Sequence, residues 1–278
     1  MSYVSALKSA NKKKLDDLKR KMNSYYTGTT YHDEYISGIN SGWDSESHRA
    51  QIKMCNLIPS NADVLEAGCG DGAAAREIDK RTESVSYTGI DLNPAAWPDD
   101  SPYTFVEGDG ENLPFDDAEF DVVLSMFTIE HMIYPHRYLD EGWRVLKPGG
   151  SFLTIAPDFS SNGMASEGSS QTYGSGREKL AAGQIKEAFL TLFNNRLRIP
   201  LKRYLRRRRL RSGEYFFPIL LTPRCLEQEG FTPDCDAVYP VDPTEVINYL
   251  EEKPNFCAAD IFYRDSSTFG LQVKKKEK

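Results

Sequence analysis

The run Val64-Leu65-Glu66-Ala67-Gly68-Cys69-Gly70-Asp71-Gly72 constrains this chain more than any other. An apolar strand enters a turn of three alternating glycines, and a helix is predicted to start at once, over 73–79. Glycine is needed where the backbone must take unusual dihedrals and where a ligand must reach the main chain without meeting a Cβ. The spacing is G-x-G-x-G, whereas the dinucleotide fingerprint is G-x-G-x-x-G. Glu66 also puts an acid where a pyrophosphate would prefer neutral or basic surroundings, and an ammonium group suits that place better.

The rest of the chain is arranged around this turn. Strands are predicted at 64–67, 85–90, 103–107, 120–126 and 151–156, alternating with helices at 73–79 and about 134–146. Lys147-Pro148-Gly149-Gly150 reads as a helix stop and turn. Such alternation indicates a mostly parallel sheet covered on both faces. Upstream, Val4, Leu7, Leu15, Leu18 and Met22 predict a helix over 1–23 with a gap at Asn11, and a second helix is expected at about 45–57. The alternation breaks at 158–221. Residues 158–176 read as a Ser/Gly-rich loop, and Ile185, Phe189, Phe193 and Leu197 form a helix stripe that Pro200 interrupts. A helix at about 222–229 and strands at 231–241 and 267–273 resume the pattern. The expected organisation is an N-terminal helical cap (1–58), a cofactor-binding core (59–157), an insertion that is a candidate acceptor lid (158–221), and the C-terminal part of the core (222–278).

Two acids follow the glycine turn. Asp91 stands at the carboxyl end of the second strand, where a carboxylate can accept both hydroxyls of an adenosine ribose. Lying before Pro94, it can equally cap a turn or helix. After the third strand, Asp109 can accept from an adenine amino group while the backbone at Gly110 meets the ring edge. Leu113 and Phe115 fit core packing better than a ligand.

Together with Phe120-Asp121-Val122-Val123, Ile129-Glu130-His131 and Arg144-Val145-Leu146-Lys147-Pro148-Gly149-Gly150, these motifs resemble the class I methyltransferases of the methyltransferase type 11 group. The resemblance is specific over about 60–157 and loose over 222–275. It implies a Rossmann-like α/β fold with a seven-stranded, mostly parallel sheet, helices on both faces, the last strand antiparallel, and S-adenosyl-L-methionine across the carboxyl ends of the strands. It further implies that Glu66, Gly68 and Gly70 contact the methionine end of the cofactor, Asp91 with Leu92 the ribose, and Asp109 with Gly110 the adenine. Ser125, Met126 and Phe127 would lie beside the sulfonium. The stretch 97–121, with nine acids and no Lys or Arg, suits a cationic cofactor.

Methyl transfer is an in-line displacement in which the protein aligns the reactants and sometimes removes a proton. His131 is the candidate catalytic base and Glu130 a weaker one; because such a Glu-His pair recurs in the family with varied acceptors, an architectural role stays open. Tyr25, Tyr26, Tyr31, His32 and Tyr35 lie where the N-terminal segment of this fold often covers the acceptor. The motifs of adenine amino-group and cytosine C5 methylation are absent, and catalysis is expected to be metal-free. The expected reaction is O-methylation of a small-molecule or glycan-type acceptor, possible lipid linkage included. RNA methylation and a non-catalytic adaptor role are the rival readings.

The formal charge of −7 hides nine bases without an acid between Arg196 and Arg211, interleaved with Leu197, Ile199, Leu201, Tyr204, Leu205 and Leu210. A solvated face, a peripheral membrane contact through 196–211 and a phosphate-bearing acceptor all fit that pattern. The interleaved apolar residues and the overall acidity disfavour nucleic acid. Five dispersed cysteines form neither a disulfide framework nor a zinc pattern. With no signal-like or membrane-spanning run, a cytoplasmic protein is expected, membrane-peripheral if the arginine run makes that contact.

Overall fold

The computed structural model describes residues 3–28, 48–98, 101–159, 176–226 and 235–277. In chain order its elements are β1 (Tyr3–Ser5), α1 (Lys12–Tyr26), α2 (His48–Cys55), β2 (Asp63–Ala67), α3 (Ala73–Asp79), β3 (Ser86–Asp91), β4 (Thr104–Glu107), β5 (Phe120–Met126), α4 (Pro135–Val145) and β6 (Leu146–Pro157). There follow α5 (Gly176–Ala181), α6 (Ile185–Phe193), α7 (Ile199–Leu210), β7 (Pro218–Leu220), α8 (Pro243–Glu251), β8 (Phe256–Arg264) and β9 (Thr268–Lys275).

Seven strands form one sheet in the order β4-β3-β2-β5-β6-β9-β8. The pairs β4–β3, β3–β2, β2–β5 and β5–β6 are parallel, whereas β9 runs antiparallel to both β6 and β8. This is the expected Rossmann-like architecture with an antiparallel last strand. Side chains on alternate positions go to opposite faces. Accordingly Leu65, Val123 and Phe152 pack with Leu139 and Trp143 of α4 in one core. Val64, Val122, Leu124, Leu153 and Ile155 pack with Ala74, Ala75 and Ile78 of α3 in the other. Strand order reverses between β2 and β5, and in open α/β sheets a ligand crevice forms at such a switch point, outside the carboxyl ends of the strands.

Several local expectations need correction. Residues 1–23 are not one helix: Val4 lies in β1, which pairs antiparallel with β7, and α1 begins only at Lys12. Lys147–Gly150 do not form a turn between elements. They lie within β6, which absorbs them through an irregular register opposite Phe120 and Val122. Pro200 does not end the helical stripe, because a π turn (Asn194–Arg198) leads straight into α7, where proline occupies the first turn and needs no N–H partner. In place of the helix at 222–229 there is a 3₁₀ turn, Arg224–Leu226, with 227–229 outside the described residues. Within the strand expected at 231–241, the described part 235–241 is buried but makes no ladder, and 231–234 lie outside the described residues. Its backbone is satisfied elsewhere: Leu220 N donates to Val238 O, and Val238 N and Tyr239 N donate to Glu130 O.

Arg206 anchors the arginine run to the core. Arg206 Nη2 lies 2.5 Å from Glu245 Oε2 on α8, and its Nη1 donates to Pro240 O. Glu245 is fully buried. It also accepts from the Tyr239 hydroxyl at 2.8 Å and from Phe216 N and Phe217 N at 2.9 and 3.2 Å. Arg206 therefore serves the fold; Arg207, Arg208 and Arg209 beside it are exposed.

Candidate functional site

The site is assembled at the carboxyl ends of β2, β3 and β5. Glu66 is buried near the end of β2 and accepts from the Tyr87 hydroxyl of β3. Burial pushes its carboxyl up to about 8, with Asp71 and Asp91 pushing the same way and the Tyr87 hydrogen bond opposing.

The turn that follows is shaped by contact as well as by backbone freedom. Gly68 has φ +80°, and a Cβ there would fall 2.3 Å from Thr128 Cγ2. Gly68 N and Cys69 N both donate to Ile90 O, which ties the turn to β3. Gly70 has φ +52°, and a Cβ there would meet nothing within 4 Å, so the turn opens onto free space at this residue.

Asp91 braces the turn: its Oδ2 accepts from Gly70 N at 2.9 Å and its Oδ1 from Asn93 N at 3.1 Å. The turn-capping role leaves room for a ligand, because each carboxylate oxygen keeps a second lone pair for a hydroxyl. Burial raises the Asp91 pKa against these backbone bonds, and the charge of His131 pulls the other way. Leu92, the next residue, is partly buried.

Asp109 is more committed than the sequence suggests. Its Oδ1 accepts from Glu111 N at 2.9 Å, and its Oδ2 lies 2.6 Å from Lys19 Nζ of α1. Lys19 also lies 2.5 Å from Glu111 Oε2. Burial alone would push the Lys19 ammonium down, but Glu111 and Asp109 together hold its pKa above the ordinary lysine value. Gly110 lies against the Tyr138 ring, 3.0 Å from where a Cβ would be.

On β5, Ser125 is fully buried and in register with Thr154 of β6. Met126 and Phe127 are half-buried at the strand end, and Phe127 takes φ +52°. A non-glycine residue in that region is uncommon, and such residues cluster at functional sites. Of the β5 end, it is Thr128 rather than Ser125 that lies directly on Gly68.

His131 ends a 3₁₀ turn, Ile129–His131, after β5. Its Nδ1 is 3.5 Å from Asp236 Oδ2 and its Nε2 3.9 Å from Glu130 Oε1, both carboxylates being buried. The ring of Tyr26 meets His131 edge-on at 5.9 Å. Tyr26 is the last residue of α1, and its carbonyl accepts from Asn93 Nδ2 at 2.9 Å. The α1 helix thus closes over this end of the sheet through Lys19, Tyr26 and the Asp16–Tyr134 hydrogen bond. Tyr31, His32 and Tyr35 lie outside the described residues. Sequence reasoning missed Asp236, Lys19 and Thr128. Only Thr128 carried a local signal, lying two residues after the end of β5 at the mouth of the sheet.

The family model described as a methyltransferase domain matches residues 65–154. A phthiotriol/phenolphthiotriol dimycocerosates methyltransferase of Mycobacterium tuberculosis is 42% identical over 123 residues, 38% of this chain and 44% of that protein. A fatty-acid O-methyltransferase of Mycolicibacterium smegmatis is 34% identical over 136 residues, 44% of this chain and 49% of that protein. The chain therefore spans less than half the length of each of these relatives.

S-adenosylmethionine is the cofactor this family implies, and the residues present fit it. The open space at Gly70 gives a ligand access to backbone, Asp91 keeps acceptor capacity beside it, and buried Glu66 gains from a neighbouring cation. The glycine turn, the sheet order and the matched segment agree: residues 65–154 belong to the class I S-adenosylmethionine-dependent methyltransferase domains.

Proposed function

We propose that the chain transfers a methyl group from S-adenosylmethionine to a hydroxyl oxygen of a lipid-linked acceptor. The observation that carries this reading is the His131 imidazole, flanked by buried Asp236 and Glu130, beside the turn that Asp91 braces. A carboxylate acceptor is already ionised and needs no base, whereas a hydroxyl must lose its proton as the new bond forms. Bound, the cofactor supplies an electrophilic methyl on a sulfonium.

The chain's own groups do the rest. Glu66 takes the ammonium end of the cofactor, Asp91 with Leu92 the ribose, and Asp109 with Gly110 the adenine edge. Met126 and Phe127 border the reacting end, with buried Ser125 behind them. His131 accepts the acceptor's proton at Nε2, while Asp236 near Nδ1 keeps the other nitrogen protonated and the ring oriented. The positive charge that appears on the ring then lies between two carboxylates held in place before the reaction.

Two further observations support a lipid-linked acceptor. The relatives just described are named for lipid substrates. A groove of about 840 Å³ runs between α1 and residues 221–226, with Leu18, Tyr25, Leu221 and Leu226 among apolar lining residues and Lys14, Arg20 and Lys21 among polar ones. Tyr25 connects it to the site, since its ring packs edge-on against Tyr26, which meets His131. An amphiphile fits such a lining.

The test is incubation with methyl-labelled S-adenosylmethionine and a panel of long-chain alcohols, fatty acids and amines, with the label followed into the organic phase. Label that resists alkaline hydrolysis, as a methyl ether does, is the expected result. Alkali-labile ester label or transfer to amines contradicts it. With the accepted substrate, His131→Asn lowers kcat by about 10²–10⁴-fold and leaves S-adenosylhomocysteine affinity within about twofold. Asp236→Asn has the same signature at smaller size. An Asp236→Asn effect on KM alone would assign that residue to binding.

A further inference from the structure

The insertion exposes an apolar surface that nothing in the methyl-transfer reading uses. From Ile185 to Leu210 the chain is helical without a break, through α6, the π turn and α7. Along it Ile185, Phe189, Phe193, Leu197, Leu201 and Leu205 recur every four residues and all are exposed, Ile185 at 70% and Phe189 at 67%. Phe189 and Phe193 stack on each other at 6.4 Å rather than on the core. A straight α-helix would carry a four-residue repeat round by about 40° per step, and the wider π turn absorbs part of that drift.

Beside this series stand the exposed Arg196, Arg207, Arg208, Arg209 and Arg211, with no acid anywhere between 196 and 211. Apolar groups at helical spacing with arginines beside them are what an interfacial helix needs: the first enter the acyl boundary and the second meet lipid phosphates. Charge decides the occupant. A second copy of this chain would bring the same run of bases against itself, whereas an anionic bilayer complements it. No helix among the described residues is long and apolar enough to cross a membrane, so the contact is with a surface.

We propose that the helical arm 185–211 docks on an anionic lipid bilayer, with Phe189, Phe193, Leu197 and Leu201 inserted and Arg196, Arg207, Arg208 and Arg209 on the headgroup phosphates. Arg206, committed to Glu245, takes no part. The docking stands whether or not the acceptor is lipid-linked.

The experiment is flotation of the full chain with vesicles of phosphatidylcholine alone or with phosphatidylglycerol added. The chain is expected to float with the anionic vesicles and not with the neutral ones. The triple variant Arg207→Glu, Arg208→Glu, Arg209→Glu should lower the partition coefficient about 100-fold or more. Phe189→Glu with Leu197→Glu should abolish flotation. S-adenosylhomocysteine binding unchanged in both variants shows that they fold, and it separates failure of docking from failure of the methyltransferase reading. Equal flotation with neutral vesicles, no flotation at all, binding to RNA in preference to anionic vesicles, or a concentration-dependent dimer that Phe189→Glu dissociates would each overturn the proposal.

Discussion

Glu245→Ala is expected to cost about 3–5 kcal/mol of folding free energy, the loss typical of breaking a buried ion pair from one side. Glu245 is the shared acceptor for Arg206, the Tyr239 hydroxyl and two backbone N–H groups. Removing it leaves a largely buried guanidinium without its counter-charge, held only by Pro240 O, and orphans three neutral donors at once. Arg206→Met is expected to cost less, because Glu245 keeps its three other donors and methionine refills the space left by the arginine stem. Urea unfolding of both variants measures this as a lower midpoint with an unchanged slope. An Arg206→Met loss equal to or larger than that of Glu245→Ala would show that the cation, not the carboxylate, organises this joint.

A second large effect follows from Glu66. Its carboxyl is pushed up to about 8 by burial, from an ordinary 4.5. The folded state therefore holds the proton more tightly than the unfolded chain. The stability this contributes is fully present below pH 4.5 and is lost as pH rises toward 8, by about 1.4 kcal/mol per pH unit across that window. Glu66→Gln removes the slope while keeping an acceptor for the Tyr87 hydroxyl. Relative to wild type, the variant should gain stability with rising pH, reaching roughly 3 kcal/mol near pH 7. Denaturation midpoints of the two proteins between pH 5 and 8 check this, and parallel curves would contradict it. Cofactor affinity should move the other way. A ligand ammonium beside Glu66 favours the carboxylate, so binding releases the proton. Wild-type affinity for S-adenosylhomocysteine should then rise between pH 6 and 7.5, by up to about tenfold per unit, while Glu66→Gln binds more weakly and without that trend.

The legible part of the molecule is the part in which local pattern and tertiary role coincide. Strands β2 to β5 carry apolar runs that alternate between two cores, and all three glycines of the turn take positive φ, the conformation that calls for glycine. Asp91 was legible because its place at a strand end fixes its position in space; the structure adds that it also holds Gly70. The edge strand β8 was not legible. Its residues are mostly partly or fully exposed, so neither alternation nor a continuous apolar run marks it. The segment 235–241 misled in the opposite sense: it is apolar because it is buried, yet its backbone is satisfied by Glu130 and Leu220 instead of a ladder. Asp236 was invisible for the same reason, since what gives it a role is the return of that segment onto the 3₁₀ turn that carries His131. In the arginine run nothing local separates Arg206 from its neighbours; only the fold supplies Glu245. For Asp109 the place after the third strand was legible, but its partner Lys19 was not, because α1 reaches it from the other end of the chain.

The most direct test of the cofactor site is calorimetric titration with S-adenosylhomocysteine of wild type and Asp91→Ala, both shown folded by thermal unfolding. Wild type is expected to bind in the micromolar range, and Asp91→Ala to lose about 1–3 kcal/mol, the cost of hydroxyls and a turn N–H left without their acceptor. A folded wild type that takes up no ligand, or an Asp91→Ala variant that binds as tightly as wild type, would contradict the placement of the cofactor on this turn.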